Sequence, residues 1–189
     1  MADRRRRILD AADALIRQAG GTGFPMLALS ARAEVSPTTP YNLLGSKAGV
    51  LYALLNRTMD QIDERTRRFS SSNPIERALE AAESAADFFA RDPEFFRSLH
   101  LLLLGVRDSV HRPYFMNRGL KFWPRPLETL TTNEMLPGSI KAEELARKLM
   151  IHFVGVMELW LHEEPDSEGF RAQTVYGHRC CCWDWRAME

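Results

Sequence analysis

Residues 27–50, LALSARAEVSPTTPYNLLGSKAGV, decide the fold. Leu27, Ala31 and Val35 keep a helical spacing, and Ala28 and Leu29 widen the apolar stripe. Ser36 is a good N-cap, and Pro37 stands at the first helical position, where its missing N–H costs nothing. Tyr41 and Leu44 lie three apart on a second short helix. Ser46 then caps a third helix that opens with Lys47. Two short helices joined by a tight turn, the second with an exposed N-terminal end, make a helix-turn-helix. In that motif the second helix enters the DNA major groove. Its first turn carries Thr38 and Thr39, small hydroxyls that reach base edges or phosphates.

Working outward, Ile8, Ala12, Leu15, Ile16 and Ala19 share one helix face, which Gly20-Gly21 ends. Downstream, Ser46 to about Phe69 reads as a longer helix with Val50, Leu51, Leu54, Leu55, Met59 and Ile62 on its apolar side. Ser70-Ser71-Ser72-Asn73 marks the domain boundary, giving residues 1–69 and 70–189. Asn73-Pro74-Ile75-Glu76 is a strong helix start, running to about Arg91. A helix from Glu94 to about Asp108 follows, and His111-Arg112-Pro113 is expected to break the chain. Tyr114 to about Met135 reads as a helix split by Pro124 and Pro126. Pro137-Gly138 turns the chain into a helix over Lys141–Glu163, with Leu145, Leu149, Phe153, Val156 and Trp160 in register. A last helix starts at Asp166 or Ser167 and passes Phe170, Thr174 and Val175 towards Cys181. No segment alternates as a strand and no repeat is present, so the fold is expected to be all-α.

The first 55 residues or so resemble the DNA-binding domain of the TetR family of bacterial transcriptional regulators. The resemblance rests on Leu29-Ser30, Glu34-Val35-Ser36, Thr38-Thr39-Pro40-Tyr41, Leu44, Ser46-Lys47 and Val50, preceded by the helix Ile8–Gly20. It implies an N-terminal three-helix DNA-binding domain joined by a linking helix to a helical ligand-binding and dimerisation domain. Four positions depart from the pattern. Glu34 replaces a Gly, at a cost of ~1 kcal/mol if the residue is left-handed. Pro25 stands where a Thr often caps the second helix. Pro40 removes at most one hydrogen bond near the first turn. Gly49 replaces the Glu that would complete a capping box with Ser46.

The 25 basic and 25 acidic residues give a formal net charge of zero, but they are unevenly placed. Residues 1–68 hold eleven basic and seven acidic side chains, and the remainder 14 and 18, so a +4 head precedes a −4 body. A basic head suits DNA phosphates. Hydrophobic content of 45% supplies a core. Apolar runs such as Leu101–Val106 are too short to span a membrane. No sustained apolar segment follows Arg4–Arg7 as a signal peptide requires. The chain is therefore read as cytoplasmic, with no membrane partner.

Tyr41 and Lys47 are the first candidates for phosphate contacts: a phenol hydroxyl donates to a phosphate, and a lysine at a helix start adds to the positive end of the dipole. The resemblance points to the same two positions. Thr38 and Thr39 are candidate base readers, Asn42 reaches an adenine edge or a phosphate, and Ser36 and Pro37 open the same turn. Arg4–Arg7 reads equally well as a groove-reaching arm or as a solvated terminus.

In the body, the resemblance implies a cavity for a small-molecule inducer. Its expected walls are Phe88, Phe96, His100, Leu103, Phe122, Trp123, Phe153 and Met157, with His100 orienting the ligand. The ligand is expected to be apolar or aromatic with one or two hydrogen-bonding groups. Lys141–Glu163 and the segment after Asp166 are expected to form a homodimer interface, with Val156 in it. The partners are thus a double-stranded operator, an inducer and a second copy of the chain.

No nucleophile elbow, phosphate-cradling glycine loop or His-Glu metal motif is present, so no catalytic residues and no cofactor are assigned. The alternatives are a small all-α enzyme or a protein-binding helical module. Cys180, Cys181 and Cys182 are adjacent, which does not give the spaced pairs of a structural zinc site, and no metal site is assigned. His178 stands nearby as a further potential ligand.

Overall fold

The computed structural model describes residues 1–69, 71–127 and 141–183. Among these, every regular element is helical. The helices are α1 (Ala2–Ala19), α2 (Met26–Arg32), α3 (Thr39–Leu44), α4 (Lys47–Thr66), α5 (Pro74–Ala90), α6 (Pro93–Leu104), α7 (His111–Phe122), α8 (Pro124–Leu127), α9 (Ala142–Leu161) and α10 (Ser167–Trp183). The chain divides into two compact units: Met1–Asp60 with Asp92–Phe115, and Gln61–Arg91 with Met116–Glu189.

Local chemistry explains most boundaries. The helix α1 starts well before Ile8, because Asp3 pairs with Arg6 and Arg7 and Arg6 pairs with Asp10 at helical spacings. Arg4–Arg7 therefore lies in the first turns of a helix, neither arm nor loose terminus. Gly20, at φ 63°, ends α1 in the left-handed conformation that lacks a Cβ penalty. Asn73 caps α5 by accepting from the amides of Ile75 and Glu76, with Pro74 at its start.

Other boundaries differ from the sequence expectation. The third helix begins at Thr39 and not at Pro37: residues 36–38 form a turn closed by the Thr39 amide donating to the Ser36 carbonyl. Gly105 ends α6 four residues early. His111-Arg112-Pro113 starts α7 instead of breaking the chain. The Asp108 carboxylate accepts from the amides of Val110, His111 and Arg112, and a proline in a first helical turn forfeits no hydrogen bond. The expected proline split falls at Trp123, between α7 and α8. The expected continuation to Met135 and the Pro137-Gly138 turn lie outside the described residues.

In the first unit, α1 packs on α2, α3 and α6 around Ile8, Ala12, Ile16, Leu29, Val50, Leu51, Leu54 and Leu99, all buried. In the second, α10 packs on α5 and α9, and α8 touches α5 and α9. There α5 buries Ala78, Ala81, Ala82, Ala85 and Ala86, small side chains that let a neighbouring helix approach closely. Trp160 of α9 stacks on Phe170 of α10 at 4.8 Å, both fully buried. Each such aromatic contributes roughly 2–3 kcal/mol through burial.

Candidate nucleic-acid interface and ligand core

The turn before α3 and its first residues face outward. Ser36, Pro37, Thr38 and Asn42 are exposed, Tyr41 is 49% exposed, and Thr39 is half-buried. Pro40 and Leu44 take the inward side. The Ser36 hydroxyl lies 3.2 Å from Thr38 Oγ1 and 2.7 Å from Thr39 Oγ1, so three hydroxyls form one outward cluster. Ser36 thus organises the turn through its neighbours' side chains and not through a helix amide.

Lys47 is differently placed. Its ammonium donates to the Phe24 carbonyl at 2.8 Å and lies 4.6 Å from the centre of the Phe24 ring. Desolvation holds its pKa below the usual lysine value. One of its three N–H groups is used on that carbonyl, so Lys47 ties the α4 start to the segment entering α2. Ser46 caps α4 without a glutamate: its hydroxyl accepts from the Gly49 amide at 3.0 Å. The α2 N-cap, Pro25, makes no side-chain capping bond. Glu34 has φ 52°, the left-handed conformation its replacement of glycine anticipates, and Arg7 pairs with its carboxylate at 3.7 Å.

The expected ligand residues divide between the units. Phe96, His100 and Leu103 belong to the first; Phe88, Phe122, Trp123, Phe153 and Met157 belong to the second. In the first, His100 Nδ1 lies 2.9 Å from the Phe96 carbonyl, and burial pushes its pKa down to about 4. In the second, Trp123 lies 5.0 Å from Phe122 and 5.6 Å from Phe153, ring centre to ring centre. Phe88 is half-buried beneath the Arg65 guanidinium, and Met157 is buried.

A residue the sequence reading associated only with the cysteines joins this aromatic core. His178 of α10 is fully buried, 4.9 Å from the Trp123 ring and 5.1 Å from the His152 ring. Its Nδ1 lies 2.7 Å from the Thr174 carbonyl, which only accepts, so Nδ1 carries the proton. Its Nε2 is then a buried acceptor, and it has no partner among the described residues; neither has the Thr174 hydroxyl. Burial lowers the His178 pKa to about 4; the Thr174 carbonyl opposes this and the charge of His152 adds to it. The ring is neutral at pH 7. The signal for it was the spacing Phe170, Thr174, His178, Cys182, four apart and all buried.

A cleft of about 460 Å³ opens elsewhere in the same unit, lined by Thr66, Arg67, Phe69, Arg77, Phe122, Arg125 and Pro126. Of the expected ligand residues it includes Phe122 alone. The cysteines lie in the last turns of α10, with Cys180 exposed and Cys182 buried, its thiol pKa raised to about 12 by burial. Among the described residues no group of three or more His, Cys, Asp or Glu side chains is placed to hold a metal. No helix among them is long and apolar enough to cross a membrane.

Comparison with known proteins places this arrangement. The chain superimposes on the crystal structure of Thermus thermophilus FadR, a TetR-family transcriptional repressor in complex with lauroyl-CoA, with a TM-score of 0.81. The identity is 20%, with 94% of this chain and 93% of that one covered. It superimposes on Bacillus subtilis FadR in complex with stearoyl-CoA with a TM-score of 0.70, at 15% identity over 92% and 96%. In sequence it is 35% identical to the HTH-type transcriptional repressor KstR of Rhodococcus jostii over 91 residues, 48% of this chain and 43% of that protein. The matched stretch is thus under half the length of that curated relative. No protein-family model matches the chain. The architecture is that of the TetR-family regulators: an N-terminal helix-turn-helix followed by a helical body.

Proposed function

We propose that this chain, which has the TetR fold, is a sequence-specific DNA-binding repressor that acts as a homodimer and is released by a small molecule. The observation that carries the reading is the outward face of α3. A row of hydroxyls (Ser36 and Thr38 in the preceding turn, Thr39 at the helix start), a half-exposed Tyr41 and an exposed Asn42 belong to a turn and helix whose other side is fixed in the headpiece core. Tyr41 and Lys47 then meet phosphates and position the helix, while Thr38, Thr39 and Asn42 read bases. Lys47 approaches DNA while held on the Phe24 carbonyl, so it is both a phosphate contact and a brace.

The second unit supplies the ligand and the partner. The apolar part of the ligand is proposed to lodge beside Phe122, Trp123, Phe153 and Met157, with a ligand O–H or N–H donating to His178 Nε2. The acyl-CoA in two structures of this fold supports a ligand with a large apolar part. For the partner, α9 exposes Ile151, Val154 and Leu159, and α10 exposes Tyr176. Val156 is buried in its own unit, so these four residues replace it as the proposed interface.

Release follows from linkage: a ligand that prefers one spacing of the two headpieces shifts the dimer towards it. Two recognition helices fit successive major grooves only at ~34–36 Å or a multiple of it. The test is retardation of DNA upstream of the chain's own gene. Specific retardation, reversed by a ligand, supports the reading. An enzyme or a protein-binding module gives none.

A further inference from the structure

Thr174 and His178 lie one turn apart on one face of α10, both fully buried. Each keeps a polar atom without a partner among the described residues. For His178 the atom is Nε2, an acceptor, because Nδ1 gives its proton to the Thr174 carbonyl. For Thr174 it is the hydroxyl, which both donates and accepts. Buried polar groups are paired in the great majority of proteins, and two unpaired ones within a single turn call for a shared partner.

The side chains around the pair do not supply that partner. The Trp123 ring lies 4.9 Å from the His178 ring and the Phe153 ring 6.4 Å. His152 of α9 stands edge-on to His178 at 5.1 Å, but its Nε2 faces the Gln173 carbonyl at 3.2 Å, so the proton on that nitrogen is committed to the backbone. Gly177 permits this placement, since a Cβ there would collide with the His152 ring. Met150, Phe153 and Met157 follow one face of α9, all buried, and Met150 packs over Gly119 of α7. Methionine is unbranched with three rotatable bonds and repacks readily around an entering group. All these residues belong to one compact unit.

We propose that Thr174 and His178 bind a hydroxyl of the ligand, which donates to His178 Nε2 and accepts from the Thr174 hydroxyl, making the ligand an alcohol or phenol with an apolar body. The inference deepens the ligand-responsive reading and rests on it. A hydroxyl satisfies both atoms through a single oxygen. A ketone or ether accepts from Thr174 and leaves Nε2 unpaired. A carboxylate sets a buried charge against a nitrogen acceptor that burial keeps neutral, its pKa pushed down to about 4. A site built to bond a hydroxyl rejects the analogue that lacks one, because its own buried groups are then left unpaired.

The experiment is calorimetric titration of the full chain at neutral pH with 1-octanol, 2-octanone and octanoate, each below its solubility or aggregation limit. The alcohol is expected to bind about tenfold more tightly than either of the others, or better. Thr174→Val and His178→Phe are each expected to bring 1-octanol down to the level of 2-octanone, while Thr174→Ser keeps the preference. Thr174→Val retains the shape and removes an unpaired hydroxyl, so its melting temperature is expected not to fall. Absence of 1-octanol binding, equal affinity for 1-octanol and 2-octanone, or a preference intact in both Thr174→Val and His178→Phe overturns the proposal. A lowered melting temperature in Thr174→Val with the preference intact assigns that hydroxyl to internal structure and overturns it as well. These readouts need no DNA, so the hydroxyl site can fail while operator binding stands, and operator binding can fail while the hydroxyl site stands.

Discussion

The carbonyl oxygen of Leu44, at the end of α3, occupies the space that a Cβ on Gly49 of α4 would need. The His111 imidazole also lies against that position, at 2.9 Å from the same virtual atom. The glycine is therefore the condition for α3 to end where it does, tight against the first turn of α4. Because the clash is with backbone, a side-chain rotation does not relieve it.

Gly49→Ala is accordingly expected to displace α3 and to cost about 1–3 kcal/mol, the range for overpacking. A glutamate there, which the capping-box pattern favours, is expected to do more harm. Thermal unfolding of the two variants checks this. Unchanged melting in Gly49→Ala would show that the α3–α4 contact is looser than described.

Glu34→Gly is expected to stabilise the chain. The residue is left-handed, and removing its Cβ relieves about 1 kcal/mol, less whatever the exposed pair with Arg7 contributes. For a domain of this size that raises Tm by about 2–4 °C. A lower melting temperature would mean that the Arg7 pair outweighs the backbone strain.

His178 sets a dependence on pH. Its pKa lies near 4 in the folded chain against about 6.5 without burial. Between those values the unfolded chain binds more protons, so stability is highest above about 6.5 and falls as pH drops towards 4. The contribution of His178 is at most about 3.5 kcal/mol at ~1.4 kcal/mol per unit. His100, also lowered to about 4, acts in the same direction. Denaturant unfolding from pH 7 to 4 should show the decline, and His178→Phe should reduce its slope. An identical slope in that variant would contradict the assignment.

For assembly, Ile151→Glu and Tyr176→Glu are expected to give folded monomers, because both positions are more than 60% exposed in the single chain. A stable dimer needs at least ~1,000 Å² buried in total. Light scattering at micromolar concentration measures the state. A monomeric wild type, or dimers in both variants, would remove the proposed interface.

Sequence order carried much of this architecture because capping and periodicity are local. Asn73-Pro74 starts α5, and Gly20-Gly21 ends α1. Glu34 takes the strained conformation that its place in the motif implies. What the sequence did not carry depends on contacts made at a distance. Gly49 reads as a lost cap until the Leu44 carbonyl is seen against it. Asp108 caps α7 and turns Pro113 from a break into part of a first turn. Lys47 reads as a surface charge until the Phe24 carbonyl holds it. Phe96, His100 and Leu103 look like companions of Phe153 because all are apolar or aromatic positions on helices, yet composition does not say which compact unit a helix joins. His178 was legible in the spacing from Phe170 to Cys182, and the adjacent cysteines drew attention from it.

The central claim is that α3 reads DNA. The most direct measurement is fluorescence anisotropy of upstream DNA titrated with wild type and Tyr41→Phe over a series of salt concentrations. Tyr41 is the better probe than Lys47, because losing the lysine also removes a brace within the headpiece. The account predicts specific binding that weakens steeply with salt. Tyr41→Phe should weaken it without lowering the melting temperature, and Thr39→Ala should change which base is preferred. Absence of specific binding by the wild type, or wild-type affinity and base preference in both variants, would contradict it.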